Sequence, residues 1–198
     1  MLSADNFDIE FKTMNYEKTI FCLCIILMIV NCAGFKNVDN NGGLNKNNLS
    51  AVDGNYGNYP VDGRSPYVDA LVDVFDRTTN MFIFKDKYDT RAVNLKLKII
   101  NEKRLNVKIY KKEKLLFDKN LKVKLKNDGF LYLKEKRFMM EGIPLVFGGW
   151  NFQKSRLTVD ENNNLQIQTN YFFCNGVFIL ISDWKTFHYN LIFKKLQS

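Results

Sequence analysis

The centre of the chain alternates strictly between apolar and polar positions. Leu95, Leu97 and Ile99 alternate with Asn94, Lys96 and Lys98; Leu105, Val107 and Ile109 with Arg104, Asn106 and Lys108; Leu121, Val123 and Leu125 with Lys122, Lys124 and Lys126. A strand turns successive side chains to opposite faces, so each run predicts a strand buried on one side and solvated on the other. The interruptions at 101–103, 111–114, Asn127-Asp128-Gly129 and 160–164 are short and rich in turn-forming residues. Such breaks join antiparallel neighbours, because a parallel crossover takes a dozen or more residues.

Further strands are expected over Ala51–Tyr59, Phe147–Val159, Leu165–Phe173, Val177–Ser182 and Phe187–Lys195, which makes about eight or nine in all. The fold class is therefore mainly β, an antiparallel up-and-down meander. Closure removes exposed strand edges, so a closed or nearly closed barrel is the expected form. One short helix is expected near 66–76: Ser65 suits an N-cap, Pro66 the first helical position, and Tyr67, Leu71, Val74 and Phe75 share a face. It would cover one end of the meander.

A different pattern marks the first part of the chain. Ile20–Val30 is an apolar run of 11 residues preceded by Lys18. That length suits the apolar region of a signal peptide and falls short of the roughly 20 residues that cross a bilayer. Counted from Met1, the leader carries Asp5, Asp8, Glu10 and Glu17 against Lys12 and Lys18, whereas counted from Met14 it is basic enough for export. Residues 1–13 are read as an over-long start and 14–31 as the signal peptide; a cytoplasmic extension is the other reading of 1–13.

Ile29, Val30, Asn31 and Cys32 resemble the lipobox of bacterial lipoproteins, with Asn31 standing where Gly, Ala or Ser is usual. The resemblance implies diacylglycerol on the Cys32 sulfur, a mature chain that begins there with fatty-acyl (palmitate-type) modification, and attachment to the cell envelope, expected at the outer membrane. Cleavage after Ala33 or Gly34, or a retained anchor, are the alternatives. Cys22 and Cys24 would leave with the signal, and Cys174 would remain as a lone thiol in the apolar run YFFCNGVFILI.

Residues 35–48, FKNVDNNGGLNKNN, hold little to bury and are expected to extend Cys32 into a disordered tether over 32–48. Residues 49–198 then form one domain, long enough for a sizeable core. Its order is Gly54-Asn55-Tyr56 in a first strand, a helix, then a meander, and this resembles lipocalin-like small bacterial lipoproteins. True lipocalins carry Gly-x-Trp where this chain has Tyr56. The resemblance implies a barrel with an internal apolar pocket.

Charge changes the picture less than its size suggests. From Cys32 onward there are 27 basic and 17 acidic residues, and residues 85–137 alone hold 18 basic against 7 acidic, so the excess lies in the hairpin block. Its lysines take the outward strand positions. They would form either a face attracted to anionic lipid head groups or a solvated face that resists edge aggregation. Nucleic acid is not an expected partner, because Lys greatly outnumbers the Arg favoured for base contacts and no binding motif accompanies the block.

Catalytic signals are thin. His188 is the only histidine, which excludes a His-rich metal site. Cys174 has no accompanying partner motif, Asp69 and Asp73 are spaced for the solvent face of the helix, and Gly42-Gly43 and Gly148-Gly149 lack the longer pattern of a phosphate loop. The expectation is a noncatalytic protein with no cofactor and no metal. The dense aromatics of the last third read first as core. A second reading has some of them line a cavity for a small hydrophobic or lipid-like ligand, with Trp150, Trp184, Phe152 and Phe178 as the binding candidates. The alternative is a structural lipoprotein that docks an envelope protein.

Overall fold

The computed structural model describes Phe35 and residues 43–65, 68–76, 92–134, 137–143, 147–177 and 180–196. Nine strands follow in chain order: β1 Gly54–Asp62, β2 Val93–Asn101, β3 Arg104–Lys111, β4 Lys114–Leu125, β5 Leu131–Leu133, β6 Arg137–Ile143, β7 Phe147–Val159, β8 Leu165–Val177 and β9 Leu180–Leu196. Each pairs antiparallel with its neighbour in the order β5-β4-β3-β2-β1-β9-β8-β7-β6. Short β5 also pairs with β7, through Leu131↔Leu157 and Tyr132↔Arg156, and the sheet thereby returns on itself. β5 and β6 lie end to end along β7, so the nine segments occupy eight positions of one ring-like meander.

The apolar positions expected on one face meet across the strands. Leu95↔Ile109 and Leu97↔Val107 bring apolar positions face to face, and Leu105↔Leu121 continues the row onto β4. These residues are buried in one cluster with Val123, Leu131, Leu157, Val159, Leu165, Ile167, Leu191 and Phe193. The expected turns recur at Glu102-Lys103, Lys112-Glu113, 127–129 and 161–163.

Three boundaries differ from the sequence reading, and β5 and β6 fall where it placed no strand. β1 starts at Gly54 because Leu49–Val52 winds into a 3-10 turn, stopped where the Asp53 N–H donates to the Ser50 carbonyl at 2.9 Å. The helix, α1, covers only Leu71–Phe75. Ser65 still accepts the Val68 N–H at 2.9 Å, as an N-cap would, but Ala70 is extended (φ −141°, ψ 158°) and delays the helix; Pro66 and Tyr67 lie outside the described residues. Asp73, expected to face solvent, turns its carboxylate back onto the Asp69 and Ala70 N–H groups at 3.1 and 3.0 Å.

The third difference is in the last two strands. The sequence breaks expected after Phe173 and Ser182 are absent: β8 continues to Val177 and β9 is one strand of 17 residues. Cys174↔Trp184 and Asn175↔Asp183 keep the ladder paired, and a register shift between Asn175 and Gly176 absorbs the irregularity that resembled a turn.

Both ends of the core are built from the connecting segments. Leu49 and Val52 of the 3-10 turn pack with fully buried Tyr56, whose hydroxyl donates to the Val52 carbonyl at 2.9 Å. At the far end of β1 the chain turns at Gly63 (φ 84°), where a Cβ would collide with the Asn190 carbonyl, and then delivers Val68, Leu71, Val72 and Phe75 to the same core. The Val72 N–H donates to the buried Asn58 side chain at 3.1 Å, which ties α1 to β1.

The stretch expected as a tether is held at two points. Leu44 is 4 % exposed within the core and its N–H donates to the Gly129 carbonyl at 2.9 Å. Phe35 stands edge-on to Tyr132, with ring centroids 5.5 Å apart. Residues 36–42 lie outside the described residues.

Candidate functional site

Three features distinguish this sheet from a plain structural one. The first is a buried cation. Arg156 has the outward parity of β7, opposite to Leu157 and Val159, yet its residue is 2 % exposed. Its Nη1 donates to Asp128 Oδ2 and to the Tyr132 hydroxyl, both at 2.8 Å, and its Nε donates to Gln168 Oε1 at 2.8 Å. The guanidinium carbon lies 4.0 Å from the centre of the Phe130 ring and 4.5 Å from that of Phe35. Hydrogen bonds in the guanidinium plane and aromatic rings against it replace the water that burial removed. Tyr132 donates in turn to Asp128 Oδ2 at 2.5 Å; burial, reinforced by that bond and opposed by Arg156, raises its phenol above the ordinary value.

The second feature is basic. Register sets Lys96 directly opposite Lys108 and Arg104 directly opposite Lys122 on the outward face, arrangements that repel. Only one acid is embedded there: Asp118 accepts from Asn106 at 2.8 Å and pairs with Lys108 at 3.2 Å, and those two groups hold its carboxyl below the usual range. The face runs into an open groove of about 950 Å³ between the β2–β3 turn, the end of β4 and residues 43–46. Lys46, Lys103, Lys124, Lys126 and Lys134 line it, against Glu102 and Asp128.

The third feature lies on the core face of β7 and β8. Moving away from Leu157 and Ile167, the same face carries Ser155 paired with Thr169, Gln153 paired with Tyr171, and Asn151 paired with Phe173. Asn151, Gln153, Ser155, Thr169 and Tyr171 are all buried. Ser155 and Thr169 hydroxyls are 3.0 Å apart, and the Gln153 amide donates to Ser155 at 3.4 Å. Beside them on β9, Phe187 and Tyr189 stack with centroids 6.3 Å apart. The core face thus changes from an apolar floor to a polar and aromatic belt.

No family model matches the chain, and neither does any curated protein or solved structure. The site is accordingly read from its own chemistry.

The sequence candidates distribute unevenly over these features. Cys32 and Phe178 lie outside the described residues. Trp150 pairs with Cys174 and Cys174 with Trp184, so these three positions form one cross-strand row. Phe152 is half-buried with the Lys154 ammonium 5.4 Å from its ring centre. The unbroken β7–β8 register gives positions 150 and 152 the parity of Arg156, whereas the belt has the parity of Leu157. Sequence reading singled out neither Arg156 nor the belt. An alternation that continues through Asn151, Gln153, Ser155 and Leu157 was the available signal for the belt.

Cys174 is buried, and burial pushes its thiol up, away from the reactive thiolate. His188 Nδ1 lies 2.8 Å from Asn170 Oδ1 across the β8–β9 pair. Among the described residues no three His, Cys, Asp or Glu side chains gather as a metal site, and no helix is long and apolar enough to cross a membrane.

Proposed function

We propose that the protein is a noncatalytic lipoprotein of the bacterial cell envelope, acylated at Cys32 and held on the outer membrane, whose β-ring binds a small lipid-like ligand. The belt on the core face carries this reading. Each buried polar group needs a partner to offset its desolvation, which a bound polar ligand can supply as well as the protein can. Here an apolar floor of Leu157, Ile167 and Leu191 gives way on one face to Asn151, Gln153, Ser155, Thr169 and Tyr171. This order suits an amphipathic molecule: the floor takes the chain and the belt takes the polar end. The lipocalin-like order of Gly54-Asn55-Tyr56, helix and meander agrees with it.

Two measurements test the reading separately. Intact mass spectrometry of membrane-extracted protein, with a Cys32→Ser control, should show a diacylglyceryl or triacyl addition on the wild type only; unmodified wild type refutes the anchor. Titration with a dansyl-labelled undecanoic acid should give saturable binding at one site, weakened about tenfold when Gln153→Leu removes one polar partner, a loss of about 1.4 kcal/mol. Failure to saturate refutes the ligand.

A second reading, docking of an envelope protein, is favoured by the tip of the β3–β4 hairpin, where Leu115 and Leu116 are exposed among lysines. Crosslinking in intact cells that depends on these two leucines would support it.

A further inference from the structure

The lysine-lined groove and the docked Phe35 meet at one place in the fold, and together they specify a surface. Lys126 holds its ammonium 3.8 Å from the centre of the Tyr132 ring, and Tyr132 is the ring against which Phe35 stands edge-on. Two side chains, Lys126 and Tyr132, therefore connect the groove to residue 35. In a mature chain that begins at Cys32, only Ala33 and Gly34 separate the acylated residue from Phe35. Each residue reaches at most about 3.5 Å, so an acyl group on Cys32 is tied within about 11 Å of chain to Phe35.

We propose that this groove is the surface by which the protein lies against an anionic phospholipid bilayer. The inference rests on the acylation of Cys32 proposed above for the position of the bilayer, and on the groove's own charge for its recognition. Lys46, Lys103, Lys124, Lys126 and Lys134 are all exposed around it. Of its two acids, Asp128 is committed to the buried Arg156 guanidinium, which leaves Glu102 as the acid without that neutralisation. Lysine ammonium groups at the surface of an anionic leaflet gain Coulomb energy without needing a shaped pocket, which suits an open groove. Arg104 and Lys122, opposed on β3 and β4, extend the positive field beyond the groove.

The experiment uses full-length acylated protein reconstituted into phosphatidylcholine vesicles with or without phosphatidylglycerol at about a third of the lipid. Each lysine is then acetylated for a short time and quantified by peptide mass spectrometry. In phosphatidylglycerol vesicles Lys103, Lys124, Lys126 and Lys134 should react about threefold or more slowly than in phosphatidylcholine alone, and high salt should restore their rates. Lys112 and Lys114, on the hairpin tip at the opposite end of the ring, should keep the same rate in both. The double variant Lys124→Glu, Lys126→Glu should release Lys103 and Lys134 from protection.

Equal protection of the tip and groove lysines, or protection that does not depend on phosphatidylglycerol, overturns the proposal. Protection of the groove by detergent-solubilised envelope proteins but not by the vesicles makes the occupant a protein and overturns it as well. The intact mass of the same samples reports acylation independently. An unmodified Cys32 would remove the anchor while the lysine rates still decide the groove.

Discussion

Arg156 Nη1 and Asp128 Oδ2 stand 2.8 Å apart across the seam where β7 meets β5, with the Arg side chain 3 % exposed and the Asp side chain 37 % exposed. The cation is inside and its counterion is at the surface. Asp128 also takes the Tyr132 hydroxyl and, through its other oxygen, the Phe130 N–H at 3.2 Å. One carboxylate thus organises the β4–β5 turn, and through Tyr132 and Arg156 it secures the pairing that closes the ring.

Removing only the charge of Asp128 leaves the guanidinium buried without its counterion. Asp128→Asn should destabilise the protein by about 2 kcal/mol, less than the figure for a wholly buried pair because solvent reaches the carboxylate. Arg156→Met with Asp128→Asn should lose less than the sum of the two single changes. Urea unfolding of the four proteins measures the coupling, and additive losses would show that the pair does not act as a unit.

Tyr56 predicts an alkaline limit. Burial, with Asp53 adding to it, raises its phenol far above the ordinary value. The folded form therefore keeps its proton while the unfolded chain loses it, so the stability from this group is intact below about pH 10 and falls above it by roughly 1.4 kcal/mol per pH unit. Tyr56→Phe should cost about 1 kcal/mol at neutral pH for the bond to Val52, and should flatten the fall between pH 10 and 11.5. Urea midpoints across that range, compared between the two proteins, provide the check.

Asn58 joins β1 to α1 through the Val72 N–H. Asn58→Leu leaves that buried donor without its side-chain acceptor and should destabilise the protein by about 1–3 kcal/mol. The damage should be local. Hydrogen exchange should accelerate in residues 68–76 before it changes in β2 and β3, and uniform acceleration would contradict the assignment.

Arg104 and Lys122 repel across the β3–β4 pair. Lys122→Glu turns the pair attractive and should stabilise the protein by about 0.5 kcal/mol. Added salt should raise the melting temperature of the wild type more than that of the variant, because screening relieves repulsion. A salt response that is the same in both would argue against a local effect.

Most strands, their turns and their alternation were legible in the sequence because each depends on residues close in the chain; β5 and β6 were not, and they are held by pairing with β7. Leu105-Val107-Ile109 and the turn at Lys112-Glu113 specify a hairpin without reference to the rest of the molecule. The antiparallel meander followed from the short breaks, and closure from the need to cover edges. Where local signals conflicted with the tertiary context, the context prevailed: the break expected between Phe173 and Val177 is bridged by β7–β8 pairing that runs through 174–176, and the helix expected from 66 begins only at Leu71, after extended Ala70.

The sequence by itself determined the period-two strands, the basic hairpin block and the lipobox-like run before Cys32, since composition and spacing along the chain carry them. Tertiary structure alone decided that β5 would meet β7, that Arg156 would be buried between Phe130 and Phe35, and that lysines from separate segments would share a groove. Those arrangements join residues far apart in the chain, such as Tyr132 with Arg156, 24 positions away, and Phe35 with Arg156, 121 positions away. No local preference encodes such a meeting; it forms only when the closing of the sheet brings the segments together and the burial gained offsets the entropy lost.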